Sequence, residues 1–506
     1  MVHFHERHAD KITGVLSCFD RIILQGTLPD ICHPNAITMF FNAQKMRIFD
    51  FKQWAEPLRD EIRDTIEGLA AESGIEVEFI RKQQDFRKEE RVQEIIAVRG
   101  DHPGIVHIFS AMESCTAFKP WHDKQTHATF FKYDSGRCLH YYVYFLDPEF
   151  GLCYLRIPTW APFRLQFYCN GHNWLARQLE KQGVGYEQLR NAFVSLDDFA
   201  KAQKLADKFP VQRLHQLLDR YARRLCPVVK RFAGGIHWSV MQVEYSTDVV
   251  FRDRASLGPL YEELIRTLSH AVKPDQVAMF LGKRLDPRYD GELGSDFATR
   301  KEGHCLRHYM GPCGIKMYDK FACVLRIETF SNDVSFFKHH RRVEHRDGSY
   351  SYQTANVRKT IYSLPDVAEI MLGCNRRYLD FLSSIDDPSP GIKNVAKISR
   401  PVQENGRSYR GFNLFHGEDE AVFRTIAQGA AQGFGLRNHT LRELLGKSTG
   451  QVSRILKRLR NHGLVKKAAK TYKYYLTSFG QQVVATSLKL KELVVIPCLR
   501  GAIATH

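Results

Sequence analysis

A chain of 506 residues, 43% hydrophobic and 25% charged, has more than one core to fill and too little polar excess for long disorder, so two to four domains are expected. Its formal charge of +17 attracts polyanions, nucleic acid first among them. The 12 cysteines form no C-x-x-C pair, no apolar run nears the ~20 residues of a membrane helix, and the polar, histidine-rich start is no signal peptide; a disulfide scaffold and a membrane protein are excluded, and a cytoplasmic, nucleoid-associated protein is expected.

Along the chain, Phe19 to Leu28 reads as a short strand. Leu58, Ile62, Ile66 and Leu69 form one stripe of a helix over Trp54 to Ser73, which Gly74 stops. A second helix covers Glu89 to Val98. Cys138 to Leu146 and Leu152 to Ile157 flank a turn at Asp147, Pro148 and Gly151, which predicts a hairpin. Helices are expected over Arg164 to Gln182, Leu196 to Lys208 and Val211 to Leu225. The middle repeats this rhythm: a strand over Trp238 to Phe251, a helix over Leu257 to Val272, a short strand over Gln276 to Leu281, a run of strands over His304 to Thr329, and a helix over Pro365 to Ser384. Asp386 to Gly411, with Pro388, Pro390, Gly391 and Gly406, has linker composition.

The expected fold class is α+β and multi-domain: a mixed α/β body with antiparallel, hairpin-rich sheets, then a C-terminal winged helix-turn-helix. The regions are 1–130 (N-terminal α/β), 131–385 (a catalytic-type or recognition core), 386–411 (linker) and 412–506 (DNA-binding domain).

The C-terminal expectation rests on capping. A helix fits Gly417 to Ala431; Thr440 to Glu443 is a capping box opening a short helix that stops at Gly446; Ser448 to Gln451 is a second box. The helix that follows carries Val452, Ile455, Leu456 and Leu459 inward, leaving Gln451, Arg454, Lys457 and Arg458 for a major groove. Lys466 to Thr477 alternates as a β-ribbon. From Lys447 to Lys491 there are eleven Lys or Arg residues and no Asp or Glu, a bias that suits phosphate contact by Lys447, Lys466, Lys467, Lys470 and Lys473 as well. The run S-x-x-Q-V-S-R-I-L-K-R-L-x-x-x-G-L-V, followed by Tyr472 to Thr477, resembles the winged helices of MarR-type regulators, which implies duplex DNA as a partner and admits a homodimer.

In the body, Gly314 to Lys320 reads G-I-K-M-Y-D-K and is followed by L-R-I-E ending at Glu328. This K-x-Y-D-K and L-R-x-E pair resembles the Y-x-K element of rolling-circle replication initiators. The resemblance implies Tyr318 as a nucleophile toward a DNA phosphate, Lys320 as the phosphate partner and Glu328 as a ligand to Mg²⁺ or Mn²⁺. The single H-x-H, His3 to His5, lies at the chain start and does not supply the family's histidine pair; some initiator groups use carboxylates instead, and the resemblance implies carboxylate ligands here. Glu244 and Asp248 are four apart on one strand and share a face opposite Met241, Val243 and Val249, which makes both of them candidates. His308, just before the tyrosine strand, is the candidate to position water or substrate. The histidine- and arginine-rich run Phe336 to Arg342 reads as a phosphate-facing patch. The function these features suggest is DNA processing of the mobile-element type, by strand nicking or transfer, with single-stranded DNA or RNA as further partners of the body. A non-enzymatic regulator with a large sensing body and an RNA-binding component of a ribonucleoprotein are the alternatives.

Overall fold

The computed structural model describes residues 3–81, 86–300, 303–386, 389–428, 435–468 and 471–502. The chain divides into two compact units, Met1–Asp386 and Asp387–His506. No helix among the described residues is long and apolar enough to cross a membrane, and the cysteines are free thiols.

The first unit is built on one mixed sheet of eleven strands. Its strands are β1 (Ile12–Thr27), β2 (Val77–Phe79), β3 (Gly104–His122), β4 (Thr129–Asp147), β5 (Gly151–Pro158), β6 (Leu165–Cys169), then, after a small hairpin of β7 (Tyr186–Leu189) and β8 (Ala192–Leu196), β9 (His237–Phe251), β10 (Leu293–Arg300), β11 (Gly303–Met310), β12 (Cys313–Lys320) and β13 (Val324–Ser331). Their spatial order is β10-β11-β12-β13-β9-β1-β6-β5-β4-β3-β2, and only the β2–β3 pair is parallel. A second, separate hairpin of β14 (Lys338–Glu344) and β15 (Tyr350–Asn356) follows. Because β3 pairs with β4 over nearly its whole length, the sheet runs straight through the boundary expected at 130/131.

Helices cover the sheet where its strands alternate. These are α1 (Phe4–Arg7), α2 (Pro34–Ala43), α3 (Phe51–Glu72), α4 (Lys88–Arg99), α5 (Gly171–Lys181), α6 (Phe199–Ala206), α7 (Val211–Leu225), α8 (Arg254–Ala271), α9 (Pro274–Phe280) and α10 (Leu364–Asp386). One face of β9, β11, β12 and β13 buries Val249, Leu306, Ile315, Met317 and Ile327 against Leu257 and Leu264 of α8 and Tyr378 and Leu382 of α10. The opposite face of these strands carries the polar cluster described below.

Several stretches differ from their sequence reading, among them Thr440 to Glu443, which forms no capping box because its helix already starts at Asn438, after Arg437. Arg164 to Gln182 is not one helix. Leu165, Phe167 and Cys169 alternate inward as β6, and Asn170 then caps α5 by accepting from the His172 amide at 2.7 Å. At that junction a Cβ on Gly171 would lie 2.4 Å from the Phe19 carbonyl oxygen, so only glycine lets α5 start against β1. Gln276 to Leu281 is helical, not a strand: Pro274 opens α9, and the short apolar run Val277, Ala278 and Phe280 has the same hydrophobicity in either state. Residues 386–411, expected as a linker, hold α11 (Ser389–Ser399) and a hairpin of β16 (Val402–Glu404) and β17 (Arg407–Tyr409). Asn405 and Gly406 both adopt positive φ in that hairpin turn (50° and 72°), the backbone an Asn-Gly pair favours, and Ile398 and Phe412 are core residues.

The second unit continues with α12 (Gly417–Ala427), α13 (Asn438–Leu445), α14 (Thr449–Asn461), the strands β18 (Val465–Lys467) and β19 (Tyr474–Leu476), and α15 (Ser478–Leu490). Leu441 of α13 and Val452, Leu456 and Leu459 of α14 pack with Val422, Phe423 and Ile426 of α12 and with Val483 and Val484 of α15. The Ser448 hydroxyl and the Gln451 side chain satisfy each other's backbone amides in a capping box that starts α14.

Candidate active site

The polar face of the large sheet is organised by a turn. Phe321 and Ala322, both with positive φ (55° and 62°), return the chain from β12 to β13 so that Lys320 lies across from Val324. That register sets Tyr318 opposite Arg326 and Lys316 opposite Glu328, and directly opposed residues share a face. Across the next pair, Arg326 faces Asp248 and Phe330 faces Glu244. In β1 the register slips between Phe19 and Arg21, a bulge that brings Asp20 to the same cluster.

Two linked networks result. In the first, the Tyr318 hydroxyl donates to Glu328 at 2.6 Å, and the Lys316 ammonium donates to Glu328 at 2.6 Å and to Glu244 at 3.0 Å. Arg21 lies 3.6 Å from Glu244. In the second, Arg326, fully buried, grips Asp248 with two bonds of 2.6 Å and donates to Asp20 at 3.1 Å. Its Nη2 also donates to the Asn191 carbonyl at 2.5 Å and stands 3.1 Å from His172 Nε2. His172 Nδ1 lies 3.3 Å from Asp20 and Nε2 3.5 Å from Asp248, and although burial opposes its charge, Cys18 and these two carboxylates raise its pKa well above the usual histidine value. The Asn191 amide joins the set, donating to Asp20 at 2.6 Å and accepting from Lys320.

Burial and neighbouring charge set the protonation of these groups. Burial opposes ionisation of Asp20, yet Arg326 and then His172 hold its carboxyl well below the usual range; Asp248 is lowered in the same way, chiefly by Arg326. Glu244 moves up, through burial and then the charge of Glu328. Tyr318 is raised well above its ordinary value by burial and by Glu328. Lys316 is raised despite burial, because Glu328 and Glu244 flank it. Lys320 is lowered to about 8, by burial first and Arg326 second.

One carboxylate oxygen from each of Asp20, Glu244 and Glu328 lies within 4.8 Å of the others, and all three residues are buried. An all-oxygen, triply anionic set suits Mg²⁺ or Mn²⁺. Lys316 now neutralises two of the three carboxylates, so a cation there has to displace its ammonium.

No protein-family model matches the chain, and no curated protein matches it. A solved structure that does match is that of the rolling circle replication initiator protein from Geobacillus stearothermophilus. It is 9% identical, the match covers 63% of this chain and 74% of that one, and the TM-score is 0.18, which does not show a shared fold.

Of the residues singled out in the body sequence, Tyr318, Lys320, Glu328 and Glu244 come together on one face. Asp248 lies on that face too, but both its oxygens are taken by Arg326, and the acidic group is completed by Asp20 instead. His308 does not belong to the site. It pairs with Ile315 and therefore points to the other face, between Ser295 (2.7 Å) and Tyr378 (3.2 Å), and burial lowers its pKa to about 4. Sequence reasoning also passed over Lys316, inside the K-x-Y-D-K run, and over His172, in the first turn of α5, and Asn191, in the turn between β7 and β8. The signal for Asp20 was a charged pair, Asp20 and Arg21, within the mostly apolar Ser17 to Leu24 run, but its partners Arg326, His172 and Asn191 lie far away in sequence and meet it only in the folded chain.

In the second unit, Arg454, Lys466 and Lys467 are exposed and Lys473 is half-buried. Lys470 lies outside the described residues. Lys447 stands 3.7 Å from Glu418 and Lys457 3.2 Å from Glu404, while Gln451, which is exposed, accepts from the Ser448 amide through its side-chain oxygen in the cap of α14. Arg458 is not on the exposed face. It is buried, binds Asp419 with two bonds of 2.7 and 2.9 Å, and donates to the carbonyls of Arg410 and Gly411. Its helical position, one turn from Arg454 and two from Gln451, borders the core stripe, and the buried Asp419 of α12 draws it inward.

Proposed function

We propose that the chain is a DNA-processing protein in which Tyr318 attacks a phosphate of a DNA strand while the second unit, as a winged helix-turn-helix, holds neighbouring duplex. The observation that carries this reading is the Tyr318 hydroxyl directed at Glu328 beside the carboxylates of Asp20 and Glu244. In this reading the tyrosine oxygen forms a bond to phosphorus, the bond from phosphorus to the leaving oxygen breaks, and that oxygen takes a proton from solvent. Glu328, 2.6 Å away, receives the tyrosine proton. Lys320, two residues along the same strand face, offsets the charge of the phosphate. Asp20, Glu244 and Glu328 are the residues that would hold a divalent cation, which when bound would polarise the phosphate and oppose the raised pKa of Tyr318. The test is incubation of the protein with single-stranded oligonucleotides and Mn²⁺. A protein–DNA adduct that survives denaturation and vanishes with chelator supports the reading, and no adduct with any strand removes it.

The lowered pKa of Lys320 adds a pH dependence. The ammonium is present below about 8 and is lost as the pH rises through that value, so adduct formation is expected to decline on that alkaline limb. Lys320→Arg, which keeps its charge throughout, should flatten the decline. An unchanged alkaline limb in that variant takes Lys320 out of the reaction.

For the second unit, two arginines on α14 separate binding from folding. Arg454→Ala should weaken duplex binding several-fold and reduce the salt dependence by about one counterion. Arg458→Ala should instead destabilise the unit by about 3 kcal/mol, because it takes from the buried Asp419 its two bonds to Arg458 and leaves it Arg410 at 3.3 Å and the Asn413 amide. Denaturant melts together with duplex titrations over a salt series distinguish the two, and equal behaviour of the variants contradicts the assignment.

One observation favours the non-enzymatic regulator as a second reading: Lys316 already neutralises Glu244 and Glu328. A body of that kind neither forms an adduct nor gains thermal stability from Mn²⁺.

A further inference from the structure

The hairpin of β14 and β15 stands outside the eleven-stranded sheet, and its two strands pair only with each other. An isolated two-stranded ribbon is marginal in water, but this one is anchored at its base. Val357 bonds Phe337 through the backbone at 2.9 Å, Lys359 pairs with Asp333 at 2.9 Å, and Val334, Phe337 and Val357 are buried. His339, Arg341, Val343, Ser351 and Ala355 are half-buried on one side, with Gln353 exposed among them, whereas Lys338, His340, Arg342, Glu344, Tyr350, Tyr352, Thr354 and Asn356 face solvent on the other.

The exposed side has an unusual composition. Tyr350 and Tyr352 are 58% and 66% exposed, so core packing does not account for them. The Arg342 guanidinium lies 3.9 Å over the Tyr350 ring, and the His340 ring stacks on Tyr352 with planes 23° apart. Glu344 is the acidic residue among these strand positions, and Asp347 is occupied with the Ser349 turn. The result is a row of accessible rings interleaved with cations on a chain of formal charge +17.

We infer that this ribbon is a second nucleic-acid surface, which captures a single DNA strand by stacking unpaired bases on Tyr350 and Tyr352 and seating phosphates on Lys338 and Arg342. The inference rests on the reading of the chain as a DNA-processing protein and adds a strand-holding surface separate from the Tyr318 cluster. A duplex fits less well, because paired bases keep their faces inside the stack and leave the rings nothing to cover.

The experiment uses the full-length protein and a fluorescent oligothymidylate of about 20 nucleotides, beside a duplex of the same length. Tyr350→Ala combined with Tyr352→Ala should weaken oligothymidylate binding by about tenfold or more, with duplex binding within about twofold and an unchanged thermal melt. Tyr350→Phe combined with Tyr352→Phe keeps the ring faces and should retain wild-type affinity. Undiminished binding by the alanine variant overturns the inference, as does an equal loss on duplex, or a phenylalanine variant as weak as the alanine one. Tyr318→Phe, assayed in parallel for adduct and for oligothymidylate affinity, keeps the two questions apart: loss of the adduct with full strand binding leaves the ribbon standing, and a failed ribbon leaves the adduct untouched.

Discussion

Tyr318→Phe is expected to abolish covalent attachment to single-stranded DNA, by roughly a thousandfold or more, while the protein stays folded. Phenylalanine keeps the ring between its strand neighbours and deletes only the oxygen that points at Glu328. Glu328 retains its 2.6 Å bond from Lys316, so the carboxylate is not stranded, and the stability loss should stay within the ~1.5–3 kcal/mol of one hydrogen bond to a charged group. Tyr378→Phe is the matched control. It removes a buried hydroxyl on the opposite face, next to His308, and should cost stability without touching the adduct. Denaturing gels and peptide mapping of the adduct give the answer. An adduct that persists in Tyr318→Phe assigns the nucleophile elsewhere.

Arg326→Ala has the largest expected effect on folding, about 3–5 kcal/mol. The guanidinium is fully buried, binds Asp248 twice at 2.6 Å, reaches Asp20 at 3.1 Å, and ties in the Asn191 carbonyl. Its removal leaves two buried carboxylates without their main cation. Both have lowered pKa values in the folded protein, so their contribution to stability is present above the unfolded value of about 3.9 and is lost as the pH falls through the folded values. The gap between wild type and variant should therefore be widest near neutral pH and narrow on acidification below about pH 4. Urea unfolding midpoints at several pH values measure this. A variant within about 1 kcal/mol of wild type at neutral pH would mean that water or Lys320 replaces the guanidinium.

Much of the architecture could be read from local pattern. The apolar stripe of Leu58, Ile62, Ile66 and Leu69, the tyrosine-rich hairpin around Gly151, and the capping box at Ser448 are local signals, and α3, β4 with β5, and α14 follow them. The readings that failed had no local signal to separate the alternatives. A short apolar run is equally at home in α9 or a strand, and Asn405-Gly406 looks like a linker until the residues flanking it pair.

The site divides along the same line. Spacing alone placed Glu244 and Asp248 on one strand face, and composition alone marked Lys447 to Lys491 as cation-rich and acid-free. Which carboxylates meet was decided by register: the turn at Phe321 and Ala322, the bulge beside Asp20, and the parity that sends Tyr318 to one face and His308 to the other. Side-chain alternation has a period of two, so a slip of one residue between strands far apart in sequence inverts every such assignment, and only the assembled sheet chooses among the registers. Partner choice follows the same rule: Asp248 and Arg458 are chemically fit for a ligand or a phosphate, but each is buried against an opposite charge from another element, and an ion pair formed away from water holds both partners in place.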